Sequence, residues 1–205
     1  MYISERYRSV FVAIPRTASR AVAAWFMFTY GARQYGHHHC RHLPAEAPPH
    51  AVDFEWWTVV RDPWSRAASL YRLYSTEPMA RCGWGPESRR QDLRTRFEKQ
   101  SFEEFTDWLA HQRSGELTQC QIIDSCVTSP AVCHFEHLAS ALEMLPFAQA
   151  PVTVPRIKPV DTSHPLDDPE LWTGGDRINV ARWAKDDLDR WPEMVNLQPS
   201  IGDAI

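Results

Sequence analysis

The sequence predicts a single three-layer α/β domain with a central parallel sheet. Short continuous apolar runs, of the kind that form strands covered on both faces, each end at a polar turn that opens into an amphipathic helix. This happens twice in the first 75 residues, and such alternation is the signature of a layered α/β fold. The third observation is size: 205 residues, 43% hydrophobic and 23% charged, without internal repeat, low-complexity tract or long linker, suit one domain over residues 1–205.

The first run, Val10 to Ile14, is closed by Pro15 and reads as a buried strand. After a polar turn, Ala18 to Tyr30 places Ala21, Val22, Trp25, Phe26 and Phe28 at helical spacing. The region around Tyr35 is a candidate edge strand. The second run, Glu55 to Val60 (EWWTVV), stops at Arg61-Asp62-Pro63. Asp62 is placed to accept backbone N–H bonds as an N-cap, and Pro63 suits the first helical position, so a helix runs on to about Tyr74.

Residues 80–100 are irregular and basic, with Arg81, Arg89, Arg90, Arg94, Arg96 and Lys99, and read as an insertion over the sheet. Ser101, with Glu104 three residues on, is a capping-box pattern that opens a helix to about His111. Its apolar face is Phe102, Phe105, Trp108 and Leu109. Val132 to Phe135 then reads as a buried strand, Glu136 to Leu145 as its helix, 148–168 as a Pro-rich loop and Ile178 to Trp191 as a closing helix.

Charge and cysteine content narrow the function. With 22 Lys plus Arg against 26 Asp plus Glu, the chain lacks the basic excess of a dedicated nucleic-acid binder, so no nucleic-acid partner is expected. Any anion must be gripped locally. No apolar stretch approaches the roughly 20 residues of a bilayer span, and MYISERYRSV carries charges where a signal peptide is apolar. A soluble, cytoplasmic protein is expected. The five cysteines, Cys40, Cys82, Cys120, Cys126 and Cys133, are odd in number and never form a C-x-x-C pair, as expected of reduced thiols.

Two turns carry the chemistry. Pro15-Arg16-Thr17-Ala18-Ser19-Arg20 lies between a strand and a helix, where unpaired N–H groups and the positive end of the helix dipole favour an anion. Two hydroxyls and a cation there make a P-loop-like strand-turn-helix nucleotide site, although the G-x-x-x-x-G-K-[ST] spacing is absent. A helix cap flanked by solvated arginines is the simpler reading of that turn. The second turn, Arg61-Asp62-Pro63-Trp64-Ser65-Arg66-Ala67-Ala68-Ser69-Leu70-Tyr71, puts a guanidinium at a strand's carboxyl end, where ligands of open α/β sheets bind.

FVAIPRTASR followed about forty residues later by VVRDPWSRAASLY resembles the sulfotransferases that use 3′-phosphoadenosine 5′-phosphosulfate (PAPS). In that family a strand-P-K-T-G-[GS]-[ST] loop holds the 5′-phosphosulfate and R-[DN]-P-x-x-R-x-x-S-x-Y holds the 3′-phosphate. The second motif matches at every fixed position. The likeness extends to Thr118-Gln119-Cys120-Gln121-Ile122-Ile123, similar to the family's Q-x-x-Y-L without its Tyr, and to His134-Phe135-Glu136-His137-Leu138, similar to its R-[FY]-E-x-L junction.

The resemblance implies that Arg61 and Ser69 hold the 3′-phosphate, while Thr17, Ala18 and Ser19 serve the 5′ side. Arg16 stands where the family has its catalytic lysine, Ala18 replaces a glycine and Arg20 replaces a hydroxyl residue. Arg16 still neutralises charge on the leaving oxygen but is a poor proton donor, and Ala18 suits the loop only at negative φ. The family also commonly places a histidine after its second strand, which makes His37, His38 and His39 candidates for the base that deprotonates the acceptor.

The rival readings of the stretch 36–42 (GHHHCRH) are a solvated loop and, behind it, a metal site with Cys40 and His42. Consecutive residues converge poorly on one ion and sulfuryl transfer needs no metal, so none is assigned. Arg156 and Lys158 lie where the family has a loop that closes over the nucleotide, and Trp84 is a candidate for stacking on an acceptor. The basic insertion suits an acidic or sugar-containing acceptor. The expected reaction moves the sulfuryl group of PAPS to a hydroxyl or amine, releasing 3′-phosphoadenosine 5′-phosphate (PAP). A non-catalytic PAP-binding module or partner subunit is the alternative, and a P-loop-like kinase is disfavoured by the missing Walker lysine.

Overall fold

A computed structural model describes residues 1–36, 43–75, 100–111, 117–149, 151–155 and 172–197. The architecture is mixed α/β with a five-stranded mixed sheet. The chain divides into two compact units, each made of two segments: Met1–Arg61 with Gln119–Val160, and Asp62–Thr118 with Asp161–Ile205.

The first unit holds the sheet. Its strands are β1 (Tyr2–Ser4), β2 (Ser9–Val12), β3 (Arg33–Gln34), β4 (Glu55–Val60) and β5 (Ala131–His134), in the spatial order β3-β1-β2-β4-β5. The expectation of a parallel sheet holds for β2, β4 and β5 and fails at the other edge, where β1 runs antiparallel to both β2 and β3. The reason is the tight turn at residues 5–8, closed by a bond from the Arg8 N–H to the Glu5 carbonyl and by Arg8 at φ +47°. A turn that short joins only antiparallel neighbours. Tyr2 and Ile3 were the sequence signal for β1, hidden by the charges that follow them.

β1 and β2 are buried at every residue and β4 at every residue but Glu55, so these strands are covered on both faces, and alternate residues serve one of them. Tyr2, Phe11, Ala13, Trp57, Val59 and Cys133 share one core cluster with residues of α1 (Ser19–Tyr30) and with Leu142 of α5 (Leu138–Glu143). Trp57 is the centre of that cluster: its ring stacks on Phe11 at 4.4 Å, meets Phe26 edge-on at 5.3 Å and donates its indole N–H to Ser9 Oγ at 2.9 Å. Gly31, at φ +63°, ends α1 in the left-handed conformation and directs its N–H to the Phe26 carbonyl. Two elements in this unit depart from the sequence reading. The helix expected from Glu136 opens as a 3-10 turn (Phe135–His137), and α4 (Gln119–Asp124), too short to show a period, was not foreseen.

The second unit is helical: α2 (Pro63–Ser75), α3 (Phe102–His111), α6 (Gly174–Trp183), α7 (Lys185–Arg190) and a 3-10 turn (Pro192–Leu197). Trp64, Leu70, Phe102, Phe105, Trp108 and Val180 form its core. Asp62 caps α2, accepting the Ser65 N–H on Oδ1 at 2.8 Å, and Ser101 with Glu104 closes a reciprocal box at the start of α3. The closing helix expected over 178–191 is two helices that break at Ala184, and the first begins earlier, at Thr173-Gly-Gly-Asp176. Thr173 and Asp176 form a capping box there, which offsets the cost of the two glycines inside the first turn. Among the described residues no helix is long and apolar enough to cross a membrane.

Asp176 also accepts from Thr106 Oγ1 at 3.0 Å, so this 3% exposed carboxylate joins α3 to α6. Asp176→Ala removes the cap and the bond between α3 and α6, while the Thr106 hydroxyl keeps the Glu103 carbonyl as its acceptor, and should lower the unfolding free energy by about 1 to 2 kcal/mol in urea denaturation. Asp189→Ala, at the exposed Lys185–Asp189 pair, should leave the midpoint where it is.

Candidate functional site

β2 and β4 are hydrogen-bonded and parallel, with Val12 paired to Thr58, so both strands leave the sheet in the same direction at one edge. From β2 the chain passes through Ala13 and Ile14 into the turn at Pro15–Ala18. From β4 it reaches Arg61 one residue past the strand. The two turns singled out by sequence are therefore neighbours, and the guanidinium Nη1 of Arg61 lies 3.5 Å from the carbonyl oxygen of Arg16.

Arg61 is held on two further sides. Gln119, wholly buried at the start of α4, accepts the Arg61 N–H on Oε1 and donates Nε2–H to the Arg61 carbonyl, both at 2.8 Å. The guanidinium carbon lies over the Phe135 ring, 4.7 Å from its centroid. A delocalised cation suits both contacts, since it is attracted to the aromatic ring and still carries N–H groups that donate.

The first turn is strained. Arg16 and Ala18 have φ of +66° and +58°, values that L-residues with a Cβ adopt at a cost. Ala18 was expected to require negative φ; the turn needs the opposite, because two left-handed residues reverse the chain between the strand and α1. Thr17 between them is buried, and its hydroxyl donates to the Ile14 carbonyl at 3.0 Å, so that proton serves the turn. The N-cap of α1 is Ala18 itself, without a side-chain cap bond and without an acidic residue in the first turn, which preserves the positive end of the dipole. Ser19 is half-buried and Arg20 exposed.

The remaining candidates fall elsewhere. Ser69 is buried on α2, in the second unit. His37, His38, His39, Trp84, Arg156 and Lys158 lie outside the described residues, as do Cys40 and Cys82. Arg66 is wholly buried in the second unit, donating to the Leu117 carbonyl at 2.9 Å and stacking over Trp183 at 5.1 Å, which makes it a structural pin. The sequence reading passed over both Arg66 and the clamp on Arg61. The fixed arginine of the motif was a signal for the first, whereas a contact 58 residues away in sequence left none for the second.

Among the described residues no three His, Cys, Asp or Glu side chains are placed to hold a metal ion. Cys120, Cys126 and Cys133 form no disulfide, as the sequence led us to expect of these three. Comparison of the chain with protein families, with curated proteins and with solved structures finds no match.

Two predictions arise from this geometry. Ala18→Gly relieves the left-handed penalty of about 1 to 2 kcal/mol and gives back part of it as unfolded-chain freedom, for a net gain of about 1 kcal/mol in denaturant titration. Burial pushes the Cys133 thiol from its ordinary 9.0 up to about 11. The folded value is the raised one, so this thiol's contribution to stability is whole below pH 9 and is lost as pH rises toward 11. Cys133→Ala should flatten that part of the stability–pH curve, and iodoacetamide at pH 8 should label Cys133 only after denaturation, as read by mass spectrometry.

Proposed function

We propose that the protein is a PAPS-dependent sulfotransferase, built as a single three-layer domain with a P-loop-like nucleotide site and acting in the cytoplasm on a hydroxyl or amine acceptor. The observation that carries the reading is the junction at the sheet edge. Two motifs that resemble the family's 5′- and 3′-phosphate loops end adjacent parallel strands, and the Arg61 guanidinium reaches the Arg16 carbonyl.

In this reading Arg61 forks onto the 3′-phosphate, and the start of α1 receives the 5′-phosphosulfate. The acceptor oxygen attacks sulfur in line with the bridging oxygen. The new S–O bond forms as the bridging S–O bond breaks, the acceptor proton passes to a histidine of the 37–39 cluster, and PAP leaves with the bridging oxygen. Arg16 supplies positive charge to that oxygen as it becomes anionic. The basic insertion at 80–100 favours an acidic or sugar-containing acceptor. Arginine in the place of lysine at position 16 favours a second reading, a PAP-binding module without turnover.

Sulfation assays over a panel of acceptors, run beside PAP binding, separate the two. PAP should raise the thermal midpoint of the parent by binding the native state. Arg61→Ala should lose about 2 to 5 kcal/mol of that binding; equal affinity in the two proteins would remove Arg61 from the site. Arg16→Ala should slow sulfation by about 10² with little change in PAP affinity, while Arg16→Lys retains or raises the rate. Activity that appears only with Arg16→Lys would establish the module reading.

A further inference from the structure

Arg61 is gripped at three places by residues remote in sequence. The β4–β5 ladder ends at the pair Val60 and His134, one residue before Arg61. At that point the Gln119 amide takes over the role of a neighbouring strand, bonding to both the N–H and the C=O of Arg61. A planar amide that satisfies both groups of one residue sets the orientation of the peptide on either side, and so the direction in which the side chain leaves the main chain.

The other two contacts set the far end of the same side chain. The Phe135 ring lies against the guanidinium, and Nη1 reaches the Arg16 carbonyl, so the group is restrained on two sides. An arginine carries five N–H donors in one rigid fork, so plane and rotation together decide where a bidentate phosphate can sit. Gln119, Phe135, Arg16 and Arg61 all belong to the first unit.

We infer that Gln119 and Phe135 are positioning residues, which hold the Arg61 guanidinium pre-organised as a phosphate fork. The inference rests on the nucleotide reading above and adds to it the two side chains that set Arg61 in place. Of Arg61, Gln119 and Phe135, Arg61 carries the charge. Gln119 and Phe135 supply orientation, so losing either should weaken the contact while leaving the Coulombic attraction in place.

The experiment is calorimetric titration of PAP into the full chain at two salt concentrations, with thermal midpoints recorded for each protein. Gln119→Met keeps the volume and loses both bonds, Gln119→Asn stays neutral but is one methylene shorter and cannot hold both, Phe135→Leu loses the ring, and Phe135→Tyr keeps it. Gln119→Met and Phe135→Leu should each bind about tenfold more weakly, with the salt dependence of the parent retained, and Phe135→Tyr should stay within about twofold. Should Gln119→Met fail to fold, Gln119→Asn should give the same weakening. Variants with lowered midpoints but parental affinity would overturn the inference and leave the nucleotide reading standing, as would equal weakening by Phe135→Leu and Phe135→Tyr. A parent that does not bind PAP removes the nucleotide reading and this inference together.

Discussion

The parallel pairing of β2 with β4 is the constraint on which the candidate site depends. Parallel neighbours point their carboxyl ends the same way, so two turns about forty residues apart in the chain must emerge side by side. The pairing is held by burial as well as by its ladder. Trp57 on β4 stacks on Phe11 of β2 and reaches back to Ser9, while Thr58 donates to the Val12 carbonyl at 2.7 Å. A slip of one residue would turn Trp57 and Val59 away from α1, put Thr58 in their place and break the bonds to Ser9 and the Val12 carbonyl, which sets the register.

With the strands fixed, the turn after β2 has little freedom. It must reverse the chain over a few residues, and it does so through two left-handed residues that carry side chains. Strain of this kind persists only where the surroundings over-determine it. Here the buried Thr17 hydroxyl, bonded back to the Ile14 carbonyl, and the N–H groups of Ala21 and Val22, both donating to the Ala18 carbonyl, hold the turn closed. The same left-handed conformation leaves the Arg16 carbonyl within reach of Arg61, so the strained turn and the arginine at the next strand end are one mechanical assembly.

Arginine plays opposite parts in the two units. Arg66 is wholly buried and its bonds run to a backbone carbonyl and an aromatic face, so it shapes the helical core. Arg61 is half-buried with a similar aromatic contact, yet it stands one residue past a strand end, with its guanidinium at the carbonyl of Arg16 in the turn that precedes α1. The two residues lie in one motif, five positions apart, and burial separates their roles.

Some of this was legible in the amino-acid sequence because it is local. Trp56 to Val60 is a largely apolar run that suits a covered strand, Asp62-Pro63 caps and starts a helix by its own chemistry, and Ser101 with Glu104 does the same for α3. These signals depend on neighbours within about four residues, whose interactions are set as soon as the chain is written. What the sequence could not determine is set by partners far along the chain. The antiparallel edge at β1, the positive φ of Ala18 and the Gln119 clamp on Arg61 each satisfy a requirement created by the assembled sheet. A turn takes its φ from the strand and helix it must join, and an amide finds its backbone partner only once two distant segments pack, so the tertiary structure alone decided them.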